Sequence, residues 1–171
     1  MTRRQMLAGT AMAGLAAAMP ERLHASETPD GFLEVKAQKA SKLLMEGGKE
    51  AGLWTYNGIN PGPQIRLKRN EKVKVRLTNE LDEPTMIHWH GIRIDNAMDG
   101  TPLVQNPVPN GESFDYEFAV PDAGTYWYHP HMNSSKQVEH GLYGALIVEE
   151  ETPPADTEDM VLVLDDWLIN D

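Results

Sequence analysis

Glu71-Lys72-Val73-Lys74-Val75-Arg76-Leu77-Thr78-Asn79 alternates strictly between polar and apolar side chains. A β-strand sends successive side chains to opposite faces, so this pattern puts Val73, Val75 and Leu77 on one buried face. The same signal recurs over Ser113–Val120, where Phe114, Tyr116 and Phe118 share a face. Upstream, Phe32–Ala40 alternates in part, and Leu53-Trp54-Thr55-Tyr56-Asn57-Gly58 is an aromatic strand running into a turn. Asn60-Pro61-Gly62-Pro63 then forbids helix, because proline lacks the N–H and clashes with the preceding turn. Further strands are predicted over Met86–Ile94, Gly124–His131 and Gly144–Glu149. Short strands at this spacing predict an all-β Greek-key sandwich or barrel. Outside the first 25 residues no useful window carries a 3.6-residue apolar period, so little helix is expected.

Composition agrees with a single such domain. The chain has 171 residues, 40% hydrophobic and 24% charged, with 14 Gly and 12 Pro to supply turns. Acidic side chains outnumber basic ones, 26 to 15, for a formal net charge of −11. That balance argues against a nucleic-acid partner, whose phosphates demand a basic face. There is no cysteine, which excludes a disulfide, a thiolate nucleophile, a zinc–thiolate or iron–sulfur site, and a blue-copper centre of the His₂Cys type.

Both ends of the chain read differently from its middle. Arg3-Arg4 precedes an apolar small-residue run from Leu7 to Met19, closed by Pro20, with Leu23-His24-Ala25 as a cleavage site. Residues 1–25 are therefore expected to be a twin-arginine (Tat) signal peptide, giving an exported, periplasmic protein. The run is too short to cross a hydrocarbon core of about 30 Å, and no later stretch is long and apolar enough, so no membrane span is expected in the mature form. At the other end, Glu149-Glu150-Glu151-Thr152-Pro153-Pro154-Ala155-Asp156 reads as an acidic linker. The apolar run Met160–Trp167 after it resembles the opening of a second domain. The expected organisation is a signal over 1–25, a β domain over 26–150, and a linker with a truncated second domain over 151–171.

Four of the six histidines form two H-x-H pairs, His88-Trp89-His90 and His129-Pro130-His131, each at the end of a predicted strand. Residues two apart on a strand point to the same face with Cα atoms roughly 6–7 Å apart. That spacing suits two adjacent metal ions at least as well as one chelated ion. If the two strands are neighbours, four imidazoles converge, and neutral imidazole suits zinc, copper, iron and nickel. No Asp-rich calcium loop is present. His24 belongs to the signal, and His140 is left open between a surface role and a place near the site.

The words around these histidines carry a resemblance. His88-Trp89-His90-Gly91-Ile92, Met98-Asp99-Gly100-Thr101-Pro102, Gly124-Thr125-Tyr126-Trp127-Tyr128-His129-Pro130-His131 and Gln137 through Gly141-Leu142-Tyr143-Gly144 closely resemble the amino-terminal cupredoxin domain of multicopper oxidases. Asn57-Gly58 and Pro61-Gly62-Pro63 extend the likeness, which spans roughly residues 30–150. The resemblance implies a share of a trinuclear copper cluster, held between the first and last cupredoxin domains, where dioxygen is reduced to water. It assigns His88 to the type 2 copper, His90 and His129 to one type 3 copper, and His131 to the other. It places Asp99 beside the cluster as a carboxylate that orients water or relays protons, while Trp89 and Trp127 pack and shield. Gln137–Gly144 is expected to shape the return of the strand rather than touch metal.

The resemblance also shows what this stretch lacks: the cysteine of a type 1 copper and the carboxy-terminal H-x-x-H-x-H and H-C-H motifs. The expectation is thus a copper-binding first domain, incomplete as an enzyme alone. Its partners would be dioxygen, a phenolic or metal-ion donor, and further cupredoxin domains in the same or another chain. The alternative is a non-catalytic periplasmic copper-binding or structural cupredoxin protein, and four histidines could also hold zinc.

Overall fold

A computed structural model describes residues 27–152, 155 and 159–167; the predicted signal over 1–25 lies outside the described residues. Eight strands form the domain: β1 (Leu33–Leu43), β2 (Glu50–Tyr56), β3 (Ile65–Lys68), β4 (Lys72–Asn79), β5 (His88–His90), β6 (Ser113–Ala119), β7 (Gly124–His129) and β8 (Gly144–Glu149). They make two four-stranded sheets, ordered β2-β1-β4-β6 and β3-β8-β7-β5. Each sheet has one parallel pair, β1 with β4 and β3 with β8, and its other pairs are antiparallel. The all-β, cupredoxin-like fold is as expected.

The alternation in β4 sets the core. Val73, Val75 and Leu77 are almost completely buried, and Tyr116 and Phe118 of β6 join them on the same side. Trp89, Tyr128, Leu146 and Val148 of the second sheet close the core from the other side. The opposite face of β4 carries Lys72, Lys74 and Arg76, and Arg76 pairs with Asp115 across the β4–β6 register and with Asp30. Buried Asn79 ends β4 by donating to the carbonyls of Glu83 and Val108 and accepting from the Leu81 N–H, which shapes the loop leading to β5.

Four stretches differ from the reading of the sequence. The strand predicted over Met86–Ile94 is ordered as strand only at His88–His90: β5 is an edge strand paired with β7 alone, and Gly91 ends it with φ of 86°. Strand β3 follows Pro63, where the sequence shows only a four-residue mixed stretch with no alternation long enough to read. A six-residue helix, α1 (Ser134–Glu139), follows the second histidine pair, too short to show a helical period. The run Met160–Trp167, expected to open a second domain, forms no strand over its described residues. It lies against the second sheet, with Asp159 paired to Arg66 and Asp165 accepting from the Tyr143 hydroxyl. A groove of about 370 Å³ lies there, lined by Tyr126, Trp127, Tyr143 and residues 161–165.

Candidate metal centre

The register of β5 on β7 builds the site. His88 stands opposite His129, Trp89 opposite Tyr128 and His90 opposite Trp127. Side chains alternate across a sheet, so the outer face receives His88, His90, Trp127 and His129 while Trp89 and Tyr128 enter the core. Trp89 is fully buried and packs edge-on against Tyr116 and Phe118, which anchors the histidines on either side of it. The Tyr116 hydroxyl, reaching across from β6, accepts the Ile87 N–H at 2.9 Å. That bond satisfies a backbone donor next to His88 that no neighbouring strand serves.

Ligand nitrogens of His88, His90 and His129 all lie within 4.8 Å of one another. The His88 Nδ1–H donates to the Asp99 carbonyl at 2.8 Å, and the His129 Nδ1–H donates to the Pro130 carbonyl at 2.9 Å. A carbonyl only accepts, so both rings carry their proton on Nδ1 and keep the Nε2 lone pair free for a metal. His90 Nδ1 sits 3.2 Å from His129 Nε2. Two nitrogens bound to one ion at about 2.0–2.1 Å stand roughly 3 Å apart, so these two atoms already hold a bite for a single metal. His129 is 6% exposed, and burial lowers its pKa to about 4. The Pro130 carbonyl opposes that shift and the surrounding imidazoles of His88, His90 and His131 add to it. The ring is neutral at pH 7, as a ligand must be.

His131 lies outside this triad, its ring centroid 5.0 Å from that of His88 and 6.2 Å from that of His129. It is exposed, like His90, so the cluster opens to the surface. Trp127 stacks on His129 with centroids 4.0 Å apart and shields it from one side. Asp99 is at the site, but its main-chain oxygen does the orienting: the carboxylate is 3.6 Å from His88 Nδ1. Gly100, at φ of 68°, permits this approach, because a Cβ there would fall 1.6 Å from the Ile87 carbonyl oxygen. His140 is not part of the cluster; its ring packs on Trp54 and its Nδ1–H donates to the Lys136 carbonyl. Gln137 is fully buried and touches the loop before β5, not the imidazoles. The sequence offers no periodic signal for the roles of Tyr116 and Gln137, since both contacts are made by side-chain polar atoms across the fold.

A two-sheet sandwich with an all-imidazole cluster at the free edge of one sheet is a cupredoxin-like domain with a donor set suited to copper. The family model described as multicopper oxidase matches residues 37–153. The chain is 44% identical over 123 residues to the multicopper oxidase MmcO of Mycobacterium tuberculosis, covering 71% of this chain and 24% of that protein. It is 40% identical over 123 residues to copper resistance protein A of Escherichia coli, covering 70% and 20%. A multicopper oxidase structure from Pseudomonas thermotolerans superposes with a TM-score of 0.68 at 46% identity, over 71% of this chain and 30% of that one. A metallo-oxidase from Campylobacter jejuni gives 0.66 at 35% identity, over 75% and 28%. The chain belongs to the multicopper oxidase family, whose cofactor is copper. It spans a quarter or less of the length of these curated relatives.

Proposed function

We propose that this chain is the amino-terminal cupredoxin domain of a multicopper oxidase and supplies four histidines to a trinuclear copper cluster. The observation that carries the reading is the pairing of His90 Nδ1 with His129 Nε2 at 3.2 Å, beside a third ring, His88, whose tautomer leaves Nε2 free. His90 and His129 share one type 3 copper, His88 serves the type 2 copper, and the outlying His131 serves the second type 3 copper. Copper, when bound, supplies the one-electron steps by which dioxygen is reduced to water at the expense of a phenolic or metal-ion donor.

The chain's own residues orient and insulate. The Asp99 carbonyl fixes the His88 ring, Trp127 covers His129, and burial keeps His129 neutral and ready to bind. The Asp99 carboxylate, about one-third exposed, is placed to hold water or relay a proton to the cluster. The exposed sides of His90 and His131 face the position where further domains would add the remaining ligands. In the same reading residues 1–25 direct export through the twin-arginine route, and residues 151–171 are a linker and the start of a second cupredoxin domain.

Copper stoichiometry and EPR on the chain, reconstituted anaerobically with Cu(I) and then oxidised, test the ligand assignment. Wild type is expected to retain copper with a type 2 signal and no blue absorption. The double variant His88→Ala/His131→Ala is expected to lose that copper while keeping its β-sheet circular dichroism. Unchanged stoichiometry in the variant would show that other residues hold the metal. The 171-residue chain, without cysteine, is expected not to oxidise phenols or cuprous ion, and substantial oxygen consumption by the pure chain would contradict the reading.

A further inference from the structure

His88 and His90 are held by the β5–β7 ladder, by Trp89 in the core and by the Asp99 carbonyl, but His131 has none of these supports. Strand β7 ends at His129, and Pro130 has no N–H with which to extend the ladder. Beyond His131 the chain reverses at Asn133, a non-glycine residue at φ of 49°, and enters α1. A six-residue helix is not stable by itself, since nucleation costs more than one turn of hydrogen bonds returns. Something outside the helix must fix it, and through it the position of His131.

Gln137 is the one buried residue of α1. Its amide is directed at the loop before β5. Its Oε1 accepts from the Thr85 hydroxyl at 2.7 Å, and its Nε2 donates to the Glu83 carboxylate at 2.9 Å and to the Pro84 carbonyl at 3.0 Å. Glu83 also pairs with Lys136 and accepts from the Asn133 side chain, so three residues of the His131 segment converge on one acid. The receiving loop is itself rigid: Thr85 exchanges both backbone hydrogen bonds with Val108, and the Glu83 carbonyl accepts from buried Asn79. This loop runs directly into His88.

We propose that Gln137 is a positioning residue that sets the place of His131 relative to His88 by clipping the segment after His131 to the loop before His88. The inference rests on the reading of His131 as a copper ligand. Gln137 touches no imidazole; it acts by holding one backbone segment against another. The bond to Thr85 is buried and those to Glu83 and Pro84 are partly buried, so water replaces them poorly when they are lost.

The test compares copper-loaded wild type with Gln137→Met, which keeps the side-chain volume and removes the amide, and with Thr85→Val, which removes one of the three bonds. Val75→Ala, in the core of the other sheet, serves as a control that lowers Tm without touching the latch. Release of copper to a Cu(I) chelator is expected to be at least tenfold faster in Gln137→Met and a few-fold faster in Thr85→Val, with altered copper hyperfine splitting in both. Val75→Ala is expected to lower Tm with release and EPR unchanged. If Gln137→Met does not fold, the isosteric Thr85→Val decides the matter by the same two readouts. Release and spectra in the latch variants indistinguishable from those of Val75→Ala would overturn the proposal alone. A wild-type protein that retained no copper would overturn the metal reading and this inference with it.

Discussion

His88 is aimed by a main-chain atom. The Asp99 carbonyl accepts its Nδ1–H, and that carbonyl reaches the ring only because Gly100 has no side chain to strike Ile87. Two substitutions separate the contributions of this turn. Gly100→Ala places a Cβ inside the Ile87 carbonyl in a left-handed conformation, so it is expected to destabilise the chain by about 2–4 kcal/mol in urea unfolding, and to lower copper content with it. Asp99→Asn keeps the carbonyl and is expected to change stability by less than about 0.5 kcal/mol and to leave copper content unchanged. A loss of copper in Asp99→Asn would show that the carboxylate, not the carbonyl, holds the site. The His88–His90 pair was legible in the sequence as two imidazoles on one face of a strand, whereas the second pair was legible only in part, because the ladder ends at His129 and leaves His131 outside the triad. The use of Asp99 was not: its side chain announced an acid, whereas the structure employs its oxygen in the backbone, which every residue has.

At the scale of the element, β5 is a three-residue edge strand that its ladder alone would not hold. Tyr116 substitutes for the missing neighbour by accepting the Ile87 N–H, and burial raises the pKa of that phenol to about 12, so it stays protonated and neutral. Tyr116→Phe keeps the packing on Trp89 but strands a buried donor, which is expected to cost about 1–3 kcal/mol. Urea unfolding measures the loss, and faster hydrogen exchange at Ile87 would locate it. The latch on the other side of β5 carries a pH dependence. Lys136 first, then Gln137 and Asn133, lower the Glu83 pKa below its ordinary value of 4.5, while burial opposes them. The folded chain therefore holds this proton less tightly than the unfolded chain, and the contribution is fully present above pH 4.5 and lost as pH falls through the lowered folded value. Glu83→Gln is expected to flatten the acid limb of a Tm-against-pH curve below about 4.5; an acid limb identical to wild type would refute the assignment. Strands β4 and β6 were read correctly because each has one wet and one dry face and thus a clean alternation. Strands β3 and β5 were read poorly because four and three residues give the period too few repeats, and α1 because it has a single buried position.

At the scale of the whole molecule, the described residues include an apolar row near the carboxy-terminal end that the fold leaves without cover. Along residues 159–167 the chain is tied to the second sheet through Asp159 and Asp165, and Val161 and Trp167 are half-buried against it. Met160, Leu162 and Leu164 alternate with them and are 69%, 75% and 93% exposed. Apolar side chains at every second position of a segment with no strand partner mark a surface that seeks a further layer. In the proposed longer protein a second domain would supply it; the region matched is a quarter or less of the length of the curated relatives. The 171-residue chain, made alone, is expected to self-associate through this row, held in check by like-charge repulsion from its net −11. Association should therefore strengthen as added salt screens that repulsion. Replacing Met160, Leu162 and Leu164 together with Ser is expected to return the chain to monomer at all salt concentrations in sedimentation velocity; because Leu162 and Leu164 line the groove that Trp127 also lines, copper content is read in the same samples. A triple variant that associates as wild type does would place the contact on another face, with the exposed histidine edge the next to be tested.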